Sequence, residues 1–205
     1  MKILHVEGGR HLYGGAQQVL YLLKGLQRRG IDNALTCPAG SDLASAAQPY
    51  AQVYPVPMGG DLDPMLIRRI GRCIQAVRPD LVHLHSRIGA DVMGGIACRL
   101  AGVPVIHSRR VDNPEKPWVV RLKYRLHDRV VAISEAIGRV LVAEGLPREK
   151  LRIVRSAVDV SRFGAACERE KAAASLGVDP SSRWIGVVAQ LIARKGHRYL
   201  IEALP

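Results

Sequence analysis

The loop after the first apolar segment carries residue types suited to holding an anion. Residues 7–15 read EGGRHLYGG and lie between a strand-like run, Ile3 to Val6, and apolar residues at helical spacing. Glycines let a ligand approach the backbone closely, and the free N–H groups at a helix start attract negative charge. The spacing is not G-x-G-x-x-G and no acidic residue ends the second predicted strand, so a dinucleotide fingerprint is not supported. An ordinary tight strand-to-helix connection is the alternative.

Two histidines stand where predicted strands end. His85 closes the segment 80–85, and His107 comes shortly before Arg109 and Arg110. In open α/β sheets, ligands bind outside the carboxyl ends of the strands. A single histidine there is more often a structural hydrogen-bonding group, but two of them, one followed by arginines, favour a cleft for an anionic ligand.

No metal site is expected at these histidines. His83 lies inside the strand that His85 ends, and no acidic or cysteine partner is near. The cysteines are scattered, without C-x-x-C or Cys/His spacing, so zinc and a disulfide framework are both disfavoured. Reduced thiols are typical of a cytoplasmic protein. The four cysteines are Cys37, Cys73, Cys98 and Cys167.

The chain is strongly basic. Its 205 residues include 30 Lys and Arg against 18 Asp and Glu, a net charge of +12, which favours an anionic partner. A helix predicted from Trp118 could lie on an anionic membrane, and weak, salt-sensitive contact is expected through Arg109, Arg110, Arg121 and Arg125. The alternative is a solvated helix face packed on the sheet. Nucleic acid is not expected, because no binding motif is present and aromatics make up only 4%.

Short apolar runs alternate with amphipathic helical patterns through most of the chain. Strands that are apolar throughout, separated by helices, predict a doubly wound parallel sheet with helices on both faces. This Rossmann-like α/β domain is expected over residues 1–163. No apolar run is long enough to span a bilayer, and the apolar N-terminus is too short for a signal peptide. We therefore expect a cytoplasmic protein, peripheral on the inner membrane face if it contacts lipid.

After residue 163 the pattern changes. Residues 164–182 are expected to form a linker with a polar, Ala-rich helical stretch. Residues 183–205 are expected to supply the first strand and helix of a truncated second domain. An apolar strand without a sheet exposes its backbone groups, so disorder, folding back, or strand exchange into a dimer is expected.

These segments together resemble family 4 glycosyltransferases. GGAQQV at 14–19 is similar to the family's GGAE-type opening, and PDLVHLHS at 79–86 to its PDVVHxHS segment. VAISE at 131–135 resembles its VSE element, and RIVRSAVDVSRF at 152–163 its interdomain signature. VAQLIARKGH at 188–197 resembles the GRLxxxKG start of its second domain. The matches fall in order along the whole chain.

The resemblance implies a GT-B fold, in which two Rossmann-like domains transfer a sugar from a nucleotide donor with retention. Gly14 and Gly15 would approach the donor diphosphate, His85 would act beside the transferred sugar, and Lys195 would neutralise the leaving group. The donor and substrate site would also include His107, Arg109 and Ser134. The expected partners are a nucleotide sugar and a glycan or lipid-linked acceptor, in cell-envelope or lipopolysaccharide synthesis. No cofactor or metal would be needed.

Two departures from the family pattern concern the cationic site and the hinge. Gln190 stands where the family has Arg, with Arg194 as a substitute, and Ser156-Ala157 replaces Asn-Gly. The family's paired glutamates are not in this sequence, so the 205 residues alone are expected to be inactive. A sugar- or nucleotide-binding module without catalysis is the alternative function.

Overall fold

The computed structural model describes residues 1–87, 89–163 and 167–204, except for the side chains of Arg162, Phe163 and Arg194. The chain divides into two compact units, Met1–Val158 and Asp159–Pro205. Residues 164–166 of the predicted linker, and Pro205, lie outside the described part.

The first unit is built on a seven-stranded, all-parallel sheet in the order β3-β2-β1-β4-β5-β6-β7. The doubly wound parallel fold predicted from the sequence is therefore confirmed. The strands are β1 Lys2–Val6, β2 Asp32–Pro38, β3 Gln52–Val56, β4 Leu81–Leu84, β5 Val105–Arg109, β6 Arg129–Ala132 and β7 Leu151–Ile153.

Helices connect the strands of this sheet. They are α1 Gly14–Gln27, α2 Asp42–Ala47, α3 Met65–Val77, α4 Ala90–Ala101, α5 Pro117–Arg125 and α6 Glu135–Ala143. The start of α6 is set by Ser134, whose Oγ accepts a hydrogen bond from the Ile137 N–H at 3.2 Å. The end of α4 is set by Gly102, whose φ of 67° lies in the left-handed region that glycine adopts freely.

The two faces of the sheet bury different side chains, because successive strand residues point to opposite sides. On one face, Leu4 and Leu84 pack against α3 and α4 through residues such as Ile70. On the other, Leu35 packs against Val19 of α1. A third cluster joins β6 to α5 and α6.

A groove of about 510 Å³ lies along α1 over the middle of the sheet. Its floor includes His83, Ile106 and Ser108 of β4 and β5, and Val131 of β6. Arg110 stands at its edge. The groove is mainly apolar, with polar groups where β4 and β5 end.

The strand order reverses direction between β1 and β4. The chain first moves outward from β1 to β2 and β3, and then returns to the other side of β1. The connections leaving β1 and β4 therefore diverge, and their carboxyl ends border a crevice. This topology places the glycine loop beside His85.

The second unit contains short helices, α7 Val160–Phe163, α8 Arg169–Leu176 and α9 His197–Glu202. The strand predicted at 184–189 is absent from the described residues of this unit, so that part of the 183–205 prediction is wrong. A strand needs a hydrogen-bonded neighbour, and an apolar sequence alone does not supply one. Ile185 and Val188 are instead exposed.

Among the residues that the structure describes, no helix combines the length and the apolar character that crossing a membrane requires.

Candidate functional site

The glycine loop is tied to the segment that follows β4. The Gly8 N–H donates to Ser86 Oγ at 2.6 Å, and the Gly9 N–H donates to Glu7 Oε1 at 2.9 Å. The start of α1 has neither a side-chain cap nor an acidic residue in its first turn. A helix N-terminus of this kind is suited to an anion.

Arg110 brings positive charge to the same place. A Cβ on Gly15 would lie 3.8 Å from Arg110 Cδ, so the arginine side chain passes close to the first turn of α1. Its Nη2 lies 3.5 Å from His85 Nδ1. The structure thus brings Gly14, Gly15 and His85 together, with Arg110 as the cation among them.

His85 is a neutral imidazole in this setting. Burial, followed by the nearby rings of His83 and His5 and the charge of Arg110, lowers the pKa of His85 well below its usual value. Burial also raises the pKa of Glu7, against the opposing effects of the Gly9 N–H and Arg110. The site therefore offers an uncharged hydrogen-bonding ring beside a cation.

His5 belongs to this cluster, although the sequence analysis did not single it out. Its Nδ1 lies 3.0 Å from His85 Nε2, and its Nε2 lies 3.3 Å from Asn33 Oδ1. In the sheet, His5 stands directly opposite His83. The signal that could have found it is the pairing of β1 with β4, which follows from the doubly wound topology.

His107 lies elsewhere. It is fully buried and stands opposite Leu84 in the register, so it points to the other face of the sheet from His83. Its ring stacks on His127 with centroids 5.2 Å apart and packs against Tyr124. Its two ring nitrogens have no hydrogen-bond partner among the described residues. The structure does not bring His107 into the crevice.

The Arg109 side chain binds the loop that follows β5. Only 1% of it is exposed, and its guanidinium donates to the Val111 and Asn113 carbonyls and pairs with Glu115 at 3.1 Å. Lys123 also pairs with Glu115, at 2.5 Å. Arg109 therefore orders the loop, and its neighbour Arg110 reaches the crevice.

Ser134 follows β6, and its side-chain oxygen is occupied in capping α6. Lys195, in the second unit, is exposed and ends a short 3-10 turn, Ala193–Lys195. Ser134 belongs to the first unit and Lys195 to the second, and their predicted roles at the donor site stay predictions.

Comparison with known proteins identifies the family. The family model described as Glycosyltransferase Family 4 matches residues 13–162, most of the chain. The chain belongs to this family. The match includes the start of α1, His85, Arg110 and the cap of α6.

Two curated proteins that are similar in sequence to this chain are also glycosyltransferases. The chain is 29% identical over 181 residues to a GDP-mannose-dependent alpha-mannosyltransferase of Mycobacterium tuberculosis, covering 77% of this chain and 47% of that one. It is 30% identical over 141 residues to a 2-deoxystreptamine glucosyltransferase of Streptomyces kanamyceticus, covering 60% of this chain and 36% of that one. The chain therefore spans less than half the length of these curated relatives.

Solved structures share the fold. Anabaena Alr3699/HepE, solved in complex with UDP-glucose, superposes with a TM-score of 0.81 at 18% identity, over 98% of this chain and 56% of that one. The lipopolysaccharide outer core galactosyltransferase WaaB, in its apo form, gives a TM-score of 0.58 at 13% identity, over 78% of this chain and 47% of that one.

Proposed function

We propose that the complete protein is a retaining glycosyltransferase that moves a sugar from a nucleoside diphosphate donor to a glycan or lipid-linked acceptor. The observation that carries the proposal is the meeting of an uncapped helix N-terminus, the Arg110 guanidinium and neutral His85 at the point where the strand order reverses. Mannosyl- and glucosyltransferases among the relatives support a hexose as the transferred sugar.

The reaction breaks the bond between the anomeric carbon and the diphosphate oxygen and joins that carbon to an acceptor oxygen, whose proton passes to the departing diphosphate. Negative charge grows on the departing diphosphate, so cations and N–H groups that face it lower the barrier. Gly14 and Gly15 let the diphosphate approach the start of α1, and Lys195, in the segment that resembles the family's GRLxxxKG element, would neutralise the leaving group. His85, being neutral and donating through Nε2 to His5, accepts a hydrogen bond at the sugar through Nδ1 without repelling a developing positive charge. The transfer step itself needs no metal in this scheme.

A role in envelope or lipopolysaccharide synthesis fits this proposal. WaaB is a lipopolysaccharide outer core galactosyltransferase, and the basic surface of this chain suits an acceptor held at an anionic membrane. The protein would then work in the cytoplasm, at the inner face of the membrane. A binding module without catalysis is the competing function.

The test is transfer by the complete protein, incubated with UDP- and GDP-hexoses and lipid-linked acceptors and analysed by mass spectrometry. A product that gains one hexose, with the same anomeric configuration as the donor by NMR, supports the proposal. Donor binding without transfer to any acceptor would favour the binding module, and an inverted product would overturn retention.

Replacing Lys195 by alanine in the complete protein should lower kcat/KM about tenfold or more, because a cation facing the leaving group is typically worth up to about 3 kcal/mol. The matched control is Lys171→Ala, which removes an exposed lysine of α8 that pairs with Glu168. Steady-state kinetics with one donor measure both. Equal rates for Lys195→Ala and the unsubstituted enzyme would remove Lys195 from the site.

The outer surface of α5 supports peripheral membrane contact. Trp118 and Leu122 are 65% and 60% exposed, one turn apart, and Arg121 and Arg125 are exposed beside them. The buried side of α5 is instead formed by Val120 and other residues of the third cluster. Exposed apolar side chains flanked by arginines suit an anionic lipid surface.

Arg109 does not belong to this surface. The sequence analysis expected it to contact lipid, but it is buried and paired with Glu115. The expected lipid contacts therefore reduce to Arg121 and Arg125 on α5, with the partly exposed Arg110 outside the helix.

Arg121→Glu with Arg125→Glu should reduce binding to phosphatidylglycerol vesicles about tenfold or more, since each basic residue near an anionic surface contributes about 1 kcal/mol. Co-sedimentation with the vesicles at two salt concentrations measures this binding. Arg68→Glu with Arg72→Glu is the matched control, because these exposed arginines have the same spacing on α3. Equal binding to neutral and anionic vesicles would contradict the prediction.

A further inference from the structure

Three imidazole rings meet where β1 and β4 run side by side. His83 and His85 are two residues apart and therefore point to the same side, and His5 pairs directly with His83 across the two strands. One ring nitrogen from each histidine lies within 4.8 Å of the others. We propose that His5, His83 and His85 bind one divalent transition-metal ion of the zinc class.

The donor set suits this ion. Zinc takes imidazole nitrogens at about 2.0–2.1 Å, and three histidines with one open position form an established zinc coordination. Two ligands of a tetrahedral zinc are about 3.4 Å apart at such bond lengths. His5 Nδ1 and His85 Nε2 are already 3.0 Å apart. The His83 ring, whose centroid now lies 3.8 Å from that of His85, must rotate so that its nitrogen reaches the ion.

Neighbouring groups fix the tautomer of His5 that binding needs. The Asn33 amide nitrogen donates to the Leu23 and Tyr50 carbonyls, which leaves Asn33 Oδ1 to accept from His5 Nε2. His5 Nδ1 therefore carries the lone pair that faces His85. Outer hydrogen bonds of this kind fix the tautomer of metal-ligating histidines.

Ser108 fixes the tautomer of His83 in a similar way. Its Oγ lies 2.8 Å from His83 Nε2, and a hydroxyl can accept the proton of that nitrogen. His83 Nδ1 is then left as the ligand atom. His83 lines the groove beside α1, which gives an ion a way in and leaves the fourth position open to water or an anion.

His83 and His85 have no acidic or cysteine neighbour in sequence, which is why no metal site is expected there from the sequence alone. The missing partner is a histidine from another strand, almost 80 residues away in the chain.

Arg110 competes with the ion. In the metal-free arrangement its Nη2 faces His85 Nδ1 at 3.5 Å. Ligation through His85 Nε2 places the ring proton on Nδ1, so Arg110 must turn away, and Glu7 is the nearby carboxylate that can receive it. Removing the Arg110 charge should therefore strengthen metal binding.

The proposal is tested on the metal-free protein by titration with Co²⁺, followed by displacement with Zn²⁺. The expected result is one equivalent of Co²⁺ with the visible absorption of a tetrahedral site. His5→Gln, His83→Gln and His85→Gln should each weaken binding about 100-fold or more, because losing only a hydrogen-bond partner of a ligating histidine already costs 10–100-fold. His107→Gln, which changes another buried histidine, and His11→Gln, which changes an exposed one, should leave affinity unchanged.

Circular dichroism shows whether each histidine variant folds. If one does not, two further variants that keep all three histidines still test the proposal. Ser108→Ala should weaken binding about tenfold by freeing the His83 ring, and Arg110→Gln should strengthen it. No stoichiometric Co²⁺ binding overturns the proposal. So does binding that survives His83→Gln, or that depends on His11, since the ion would then be held elsewhere.

Discussion

Replacing His85 by alanine in the complete enzyme is expected to lower kcat about 10²- to 10³-fold, the range found when one group that stabilises a transition state is removed. The affinity for the nucleotide sugar should change much less. The reason is that, in the proposed scheme, the helix start at Gly14 and the cations would hold the diphosphate in both the bound and the reacting state. A hydrogen bond between the neutral His85 ring and the sugar would gain strength only as the bond to the diphosphate breaks.

The measurement is a comparison of kcat with the donor dissociation constant, made in buffer with a chelator so that no ion occupies the histidine cluster. His11→Ala is the matched control, since this exposed histidine belongs to the same glycine loop. An unchanged kcat for His85→Ala would remove His85 from the reaction. A loss confined to donor affinity would make His85 a binding residue only.

The fold and the edge of the sheet that bears the site could both be predicted from the sequence. Apolar strands alternating with helices imply a parallel sheet, and the carboxyl ends of such strands share one edge. That rule alone places the glycine loop beside His85. It needs no knowledge of side-chain direction, because both are backbone segments that leave neighbouring strands.

The direction of each side chain could not be predicted in the same way. His107 and Arg109 both belong to β5, and the sequence analysis assigned both to the site. The register turns His107 to the opposite face, and Glu115, six residues after Arg109, holds that arginine within the loop. Choosing between Arg109 and Arg110 required knowing where this carboxylate lies, which depends on the path of an irregular segment.

His5 was missed for a related reason. It lies inside an apolar strand-like run, and its partners come from β2 and β4. The strand predicted at 184–189 is the converse case. Its local pattern is strand-like, but the described residues of this unit give it no strand to pair with. Local patterns predict elements, whereas pairing decides which elements form and which residues meet.

A buried ion network holds the segment that follows β5 in the first unit. Glu115 pairs with Arg109 and Lys123, whose side chains are 1% and 4% exposed, and also with Arg87 at 2.7 Å. Lys123 has a second carboxylate, Asp91, at 3.4 Å. Removing one partner leaves buried charge without compensation, which typically costs about 3–5 kcal/mol.

Glu115→Gln should therefore lower the free energy of unfolding of the protein by about 3–5 kcal/mol at pH 7, measured by urea titration. The control is Glu149→Gln, because Glu149 is exposed, and it should change the free energy of unfolding by less than about 0.5 kcal/mol. Burial acts to raise the pKa of Glu115, but the hydrogen bonds and charges of Lys123 and Arg109 outweigh it and lower that pKa. This stabilisation is present above the unfolded pKa of about 4.3 and is lost as pH falls through the folded one. The difference between Glu115→Gln and the unsubstituted protein should thus narrow in acid, and a small, pH-independent difference would show that the network contributes little.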